Sequence, residues 1–315
     1  MSENSDSRVA AARNFRVVVW IGLSNKKCLE KLAGLDAYSR LHSGLVFRRY
    51  PIQGLSKFRQ IHPPVLLRRW ALTSHLYALC ATVIACIQFK PDICIGISLI
   101  PHSIFARIGA FCSGGRFVTW LIGSDLYKDL ETKWWAGKLR RIMCRSDATL
   151  CMGSKSKRKL ERMGWSRDRI VVGRNAYDFS GCMDQSPETK WDIIYTGRLD
   201  RYHKRIDILL HALAEVRKAR PSVRCAIVGT GPDAERLRRI CESEGLETNV
   251  DFLGYRKDIP ELLTMAKVLV MTSGWEGLPA SIMEAFACGL PVVVSDVGDI
   301  SDFVVSRENG FLVDS

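Results

Sequence analysis

Short apolar runs alternate along this chain with longer segments whose apolar residues recur every three or four positions. The runs read as strands buried on both faces of parallel sheets, and the longer segments as helices covering those faces. In the first half the pattern predicts strands at Phe15–Ile21, Leu45–Tyr50, Ile93–Ile97, Phe117–Leu121, Ala148–Cys151 and Ile170–Val172. Helices are predicted near Pro64–Phe89, Pro101–Cys112, Lys133–Cys144 and Ser154–Met163. In the second half strands are predicted at Asp192–Thr196, Arg224–Val228, Val250–Leu253, Val268–Met271 and Val292–Ser295. Helices follow near Arg205–Arg220, Pro232–Ser243, Ile259–Met265 and Pro279–Cys288. In Arg205–Arg220, Ile206, Leu209, Leu210, Leu213 and Val216 fall on one face, which makes that helix amphipathic.

The segment Ala71–Phe89 has 19 residues without a charge, between Arg68, Arg69 and Lys90. Thr73, Ser74, His75, Thr82 and Gln88 weaken a membrane-spanning assignment, and a buried core helix is the expected form. The start of the chain, Met1–Arg13, is polar and lacks the apolar core of a signal peptide. Eleven cysteines are scattered through apolar runs with no Cys-x-x-Cys pair, which suits buried reduced thiols in the cytoplasm better than zinc.

Strand and helix alternate in both halves, which predicts an α/β protein with two Rossmann-like domains facing a central cleft. The expected boundaries are a first domain over 1–179, a linker over 180–190 and a second domain over 191–315. The net charge of +13 is uneven. Residues 1–180 hold 30 Lys and Arg against 12 Asp and Glu, whereas residues 181–315 hold 16 against 21. The basic half suits an anionic partner: a membrane surface, an acidic acceptor or nucleic acid. No helix-turn-helix, zinc finger or aromatic-basic ribonucleoprotein motif appears, so nucleic acid is not expected.

Chemistry concentrates in Ser273–Pro291. Glu276 and Glu284 stand there with seven residues between them. A strand, a glycine turn, Pro279 at a helix start and Gly289 as a C-cap are the predicted frame. The free amides of that helix start suit a phosphate. Glu284 lies about 7.5 Å beyond Pro279 along the axis at about 1.5 Å per residue. That spacing fits a ribose when a diphosphate sits at the helix start, with Glu276 in the loop toward what the diphosphate carries.

A second cluster, Tyr195–Asp207, follows a strand and opens the amphipathic helix. Gly197 lets the backbone approach a ligand, Arg198 offers a planar fork to phosphate oxygens, and Lys204 adds a compact charge. Their place at a strand end favours this reading over two solvated cations. Gly229 and Gly231 form a third turn, ahead of Pro232, but a dinucleotide fingerprint needs another glycine where Glu235 stands nearby. No Asp-x-Asp occurs anywhere. No metal and no cofactor are therefore expected, with Arg198, Lys204 and a helix terminus neutralising a leaving diphosphate.

In order, the chain carries Lys90-Pro-Asp92, Gly123-Ser-Asp125, Asn175-Ala-Tyr-Asp178, Gly197-Arg198 with Lys204, Gly229-Thr-Gly-Pro232, the Glu276/Glu284 segment, Gly289-Leu-Pro-Val292 and Asn309-Gly310. This series resembles a family-4 retaining glycosyltransferase of the GT-B fold, among the glycosyl transferases group 1. The likeness is strong over residues 190–313 and looser before them. It implies that Glu284 binds the nucleoside ribose and that Glu276 contacts the donor sugar, with Gly277, Leu278 and Pro279 near the phosphates. It also implies that Arg198 and Lys204 hold the diphosphate as the sugar leaves. Ile122 stands where many relatives carry a histidine, so that role is not carried over, and His102 does not replace it. Asp299 and Ser301–Asp302 replace the usual residues after Val297-Gly298. The chain stops at Ser315 just after a strand, where relatives continue with helices, so a fragment without the C-terminal helices is the expectation.

The expected activity is sugar transfer from a nucleotide-diphosphate sugar to a glycan or lipid-linked acceptor, with retention of configuration, in polysaccharide or glycolipid biosynthesis. A nucleotide-sugar epimerase of the same fold and a catalytically degenerate nucleotide-sugar-binding protein are the alternatives. Arg48, Arg49, Lys57, Arg59, Arg68 and Arg69 interleave with Tyr50, Leu55, Phe58, Leu66, Leu67 and Trp70. This pattern suits a cytoplasmic protein docked peripherally on an anionic membrane.

Overall fold

The computed structural model describes residues 14–123, 125–130, 136–173 and 188–314. Two compact units divide the chain: Met1–Met152 with Lys157–Ala176, and Gly153–Ser156 with Tyr177–Ser315. Ser124, the Asn175–Asp178 motif, residues 133–135 of a predicted helix and all of the predicted linker except 188–190 lie outside the described residues.

In the first unit the strands are β1 (Phe15–Ile21), β2 (Leu41–Phe47), β3 (Phe58–Ile61), β4 (Ile93–Ile97), β5 (Arg116–Trp120), β6 (Ala148–Cys151) and β7 (Ile170–Val172). They form one sheet in the order β3-β2-β1-β4-β5-β6-β7, with every pair parallel. The helices are α1 (Asn25–Ala37), α2 (Val65–Arg68), α3 (Ala71–Phe89), α4 (Ile104–Ser113), α5 (Ala136–Met143) and α6 (Ser154–Arg162). Successive residues of β1 feed opposite cores. Val18 and Trp20 pack with Phe105 and Ala106 of α4, while Val17, Val19 and Ile21 pack with Cys28 and Leu32 of α1. A strand covered on both faces must be apolar where it is covered, and Val17–Ile21 is; Arg16, at the start of β1, is only partly buried and lies beside Asp92.

The predicted helix Pro64–Phe89 is broken at Trp70, whose backbone is extended. The hydroxyls of Thr73 and Ser74 donate to the Leu67 carbonyl at 2.8 and 2.9 Å, and such local bonds compete with continuous helix. The expectation of a buried core helix is corrected as well. In α3 only Ser74, Thr82 and Cys86 are buried. Ala78, Leu79, Ala81, Ala85 and Phe89 pack on the core, while Leu72, Leu76, Ile84 and Ile87 remain exposed. By length and composition α3 could cross a membrane, and 17% of that stretch is buried in the unit.

The second unit holds β8 (Trp191–Thr196), β9 (Cys225–Val228), β10 (Val250–Gly254), β11 (Ala266–Met271), β12 (Val292–Ser295) and β13 (Gly310–Val313). Its parallel sheet runs β10-β9-β8-β11-β12-β13. Its helices are α7 (Ile206–Ala219), α8 (Ala234–Ser243), α9 (Ile259–Thr264) and α10 (Ala280–Ala287). Leu209, Leu210 and Leu213 of α7 enter one core, and Ile282 and Ala285 of α10 enter the other. Strand order reverses at β8, between β9 and β11. The loops leaving β8 and β11 stand at this reversal, outside the strand ends, the usual ligand position in such sheets.

Candidate functional site

Two loops meet at this reversal: residues 197–205 after β8, and 272–279 after β11. Asp200 shapes the first by accepting hydrogen bonds from the amides of Tyr202 (3.0 Å) and His203 (3.1 Å). The Asp200 carbonyl accepts the Lys204 amide at 2.8 Å, and Arg205 enters α7 in a left-handed conformation. The second loop is then tied to the first. Thr272 Oγ1 donates to the carbonyls of Lys204 (3.1 Å) and Arg205 (2.7 Å). The Gly274 amide donates to the His203 carbonyl at 2.8 Å. The His203 ring stacks on Trp275, with centroids 4.8 Å apart and planes 9° from parallel. Its Nε2 lies 2.9 Å from the Trp275 carbonyl, and since a carbonyl only accepts, that nitrogen carries the hydrogen.

These ties carry Lys204 to Glu276, where the ammonium and Oε1 form an ion pair. His203 Nε2 lies 3.6 Å from the same oxygen. Burial alone would raise the Glu276 carboxyl. The His203 contact and the Lys204 charge outweigh it and bring the carboxyl down to about 2. Glu276 is therefore a buried carboxylate held ionised, not an acid poised near neutrality. Beneath the loop, the Tyr195 hydroxyl donates to the Arg198 carbonyl at 2.9 Å. Burial, then the negative charges of Glu276 and Asp200, push that phenol up, so it stays a neutral donor.

The glycines of these turns also have a packing role. A Cβ on Gly229, where φ is +139°, would lie 1.8 Å from the Gly197 carbonyl oxygen. One on Gly231 would lie 2.1 Å from that of Leu199. The turns after β8 and β9 thus interlock backbone to backbone, and both glycines are required by packing. On the other side, a Cβ on Gly298 would lie 2.0 Å from the Glu276 carbonyl oxygen, and the Asp299 amide donates to the Gly277 carbonyl at 3.1 Å.

Pro279 is the N-cap of α10 rather than its first residue, and no side chain caps the helix. The first amides of α10 are left without intrahelical acceptors. Glu284 stands one turn inside and is half-buried. The Leu278 side chain is buried in the unit, so this residue offers a ligand its main chain. Arg198 is 67% exposed, with Asp200 Oδ2 4.0 Å from its Nε, and does not share the buried pair of Lys204. Among the described residues no three His, Cys, Asp or Glu side chains gather as a metal site. Sequence reasoning missed His203, Tyr195 and Trp275. Nothing in their spacing marks them, and His203 carries only its place beside Lys204 as a signal.

Residues 184–315 match the family model of the glycosyl transferases group 1. The chain carries a glycosyl transferases group 1 domain. Escherichia coli (strain K12) WcaL, named as a colanic acid biosynthesis glycosyltransferase, is 28% identical over 63% of this chain and 52% of its own length. The chain spans about half the length of the first curated relatives it matches. Anabaena HepE, crystallised with UDP and glucose, superposes with a TM-score of 0.70 at 20% identity, over 95% of this chain and 86% of HepE. The lipopolysaccharide outer core galactosyltransferase WaaB superposes at 0.69 and 20% identity, over 95% and 85%. These likenesses show the GT-B fold, an α/β architecture of two parallel-sheet units.

Proposed function

We propose that this protein is a retaining, metal-independent hexosyltransferase of family 4. It moves a sugar from a nucleotide-diphosphate sugar to a glycan or lipid-linked acceptor in polysaccharide or glycolipid biosynthesis. The observation that carries the reading is the Lys204–Glu276 ion pair, held at the sheet's reversal beside the uncapped start of α10. The diphosphate lies on the first amides of α10 and the main chain of Gly277, Leu278 and Pro279, where partial positive charge is fixed in advance. Glu284 accepts from the ribose hydroxyls. Arg198, exposed and unencumbered by the buried pair, closes its fork on phosphate oxygens.

Charge grows on the diphosphate as the sugar bond breaks. Lys204, 13% exposed and already oriented, meets that charge without reorganisation. Glu276 holds Lys204 in place and faces the donor sugar, and His203, stacked on Trp275, stands 3.6 Å from the Glu276 carboxylate and helps to position it. Fixed cations and helix amides take the part a divalent cation plays elsewhere. Gly197, Gly229 and Gly231 set the backbone approach under the donor. HepE, crystallised with UDP and glucose, supports a nucleotide-sugar donor by analogy of fold. The names of WcaL and WaaB support a glycan or glycolipid product.

The first domain, residues 1–179, takes the acceptor and residues 191–315 bind the donor. The protein works on the cytoplasmic face, peripherally on an anionic membrane. Ten described cysteines are free, in keeping with a reducing compartment. Of the basic-apolar pattern, Tyr50, Leu66 and Trp70 are exposed as membrane contact requires, whereas Phe58 belongs to the core. Incubating the protein with a panel of nucleotide sugars, with and without lipid extracts, tests the reading. Nucleotide diphosphate release that rises with acceptor supports transfer. Release with a free rearranged sugar supports the epimerase, and binding without release the degenerate module.

A further inference from the structure

Helix α3 is apolar on two faces, and the fold of the first unit covers one of them. On the inner face Thr82 Oγ1 accepts a hydrogen bond from Trp20 Nε1 at 2.8 Å, and Cys86 is fully buried. Ala78, Leu79, Ala81, Ala85 and Phe89 pack on the same core. On the outer face Leu72, Leu76, Cys80, Ile84 and Ile87 follow one another at steps of four, four, four and three residues. At about 100° per residue these five fall within an arc of about 120°, and the stripe runs about 22 Å at about 1.5 Å per residue. The four aliphatic side chains are 80%, 60%, 58% and 53% exposed, and Cys80 is exposed, unlike the other described cysteines. No charge interrupts the stripe, which is unusual for a helix face turned to water.

The charge around the stripe favours an anionic surface as its cover. Neither α2, α3 nor α4 contains an acidic residue. Residues 37–123 hold ten Lys and Arg against one acidic residue, Asp92, and that carboxylate accepts the Arg16 amide at 2.8 Å. Exposed Arg69 precedes the helix and exposed Lys90 follows it, so a cation stands at each end, with exposed Trp70 next to Arg69. Cations and an aromatic ring at the ends of an aliphatic stripe are groups that settle among lipid headgroups. The stripe itself has no Trp, Tyr or Arg, the side chains that most often anchor protein interfaces. Nor can α3 cross a bilayer while its inner face covers Trp20 and the core.

We infer that α3 is the membrane-contact element of this protein. It lies in the plane of an anionic bilayer, with Leu72, Leu76, Cys80, Ile84 and Ile87 at the boundary of headgroups and acyl chains. The inference rests on the peripheral-membrane reading above and names the surface that serves it. It moves the centre of contact from the Arg48–Trp70 pattern, in which Arg48 and Phe58 are buried, to the helix that follows.

The test uses the whole chain and vesicles of equal parts phosphatidylglycerol and phosphatidylcholine, with pure phosphatidylcholine for comparison. Flotation measures binding. Alkylation of Cys80 by a charged maleimide, located by peptide mass spectrometry, reports whether the stripe is covered. Cys80 should react in solution and be protected about tenfold or more on anionic vesicles. Leu76→Ser with Ile84→Ser, both at exposed positions, should weaken anionic-vesicle binding by about tenfold or more, because apolar burial is lost while the charges stay. Arg69→Gln with Lys90→Gln should weaken it too, with a smaller effect at high salt. The Cys80 readout needs no variant, so a misfolded variant leaves the test intact. Cys80 protected in solution at every protein concentration would overturn the inference in favour of a segment of the chain itself. Protection that grows with protein concentration would overturn it in favour of a second copy. Equal binding to both vesicle types would overturn it as well. Anionic-vesicle binding with Cys80 still reactive would sink this surface and leave the peripheral reading standing, whereas no binding to either vesicle would remove both. Sugar transfer is assayed separately, and its absence with Cys80 protected would sink the transferase reading alone.

Discussion

The ammonium of Lys204 rests on Oε1 of Glu276, 72 residues further along the chain, with the two side chains 13% and 8% exposed. The pair joins the loop after β8 to the loop after β11, so it belongs to the fold as well as to the chemistry. Removing one partner leaves the other charge buried. Lys204→Met and Glu276→Gln should therefore each lower stability, Lys204→Met by about 3 kcal/mol, and the two together should recover much of it. Denaturant unfolding of the two single variants and the double variant measures the coupling. Additive losses would show that the two groups do not depend on each other.

The two glutamates should fail differently. On the ribose contact proposed for Glu284, which is alike in ground and transition states, Glu284→Ala should raise the donor KM and leave kcat nearly unchanged. Glu276→Ala should chiefly lower kcat, by about 10²-fold, as for loss of a preorganised electrostatic group. Steady-state kinetics on a matched donor separates them. Equal losses confined to KM would contradict the roles.

Gly229→Ala tests whether the Gly-Thr-Gly turn is a packing device. The new Cβ would meet the Gly197 carbonyl, at a backbone angle that side chains avoid. Stability should fall by about 2 kcal/mol or more. A thermal midpoint unchanged by the substitution would return this glycine to a purely donor-binding role.

Acid stability carries a signature of His102. Burial, and then the charge of His75, lower it from 6.5 to about 4. The unfolded chain takes up its proton near pH 6.5 while the folded chain refuses it down to about 4. Stability should fall across that window as the pH drops and level off below it. Glu276 acts lower down. Its contribution is present above pH 4.5 and is lost as the pH falls toward 2. The difference in thermal midpoint between the wild type and His102→Gln should shrink from pH 6.5 to 4. A constant difference would show that His102 titrates normally.

The second unit was legible because its strands are short and mainly apolar, with charges such as Asp192, Asp251 and Lys267 confined to their first two residues. Asp192–Thr196 and Val292–Ser295 needed at most one residue of adjustment. The first unit hid α1 and β3. In α1, Gly34 interrupts the pattern and, among the residues whose burial is described, only Cys28, Lys31 and Leu32 are buried, so no clear stripe marks it. The sequence of α3 lacks charge on every face, which says nothing about which face is covered. Within the site, Lys204 and Glu276 could each be picked out from type and position. Their pairing could not, because it depends on Thr272, Gly274 and His203 tying two distant loops together. The strands explain why the residues sit at one end of the sheet, and only the tertiary hydrogen bonds explain why they touch.

The central claim is that Lys204, held by Glu276, neutralises the leaving diphosphate without a metal. Nucleotide diphosphate release, measured with an accepted donor and a lipid acceptor in excess EDTA, tests it most directly. The wild type should keep its full rate, and a folded Lys204→Met variant should lose about 2–4 kcal/mol of barrier stabilisation. Activity abolished by EDTA and restored by magnesium or manganese, or a Lys204→Met variant as fast as wild type, would contradict it.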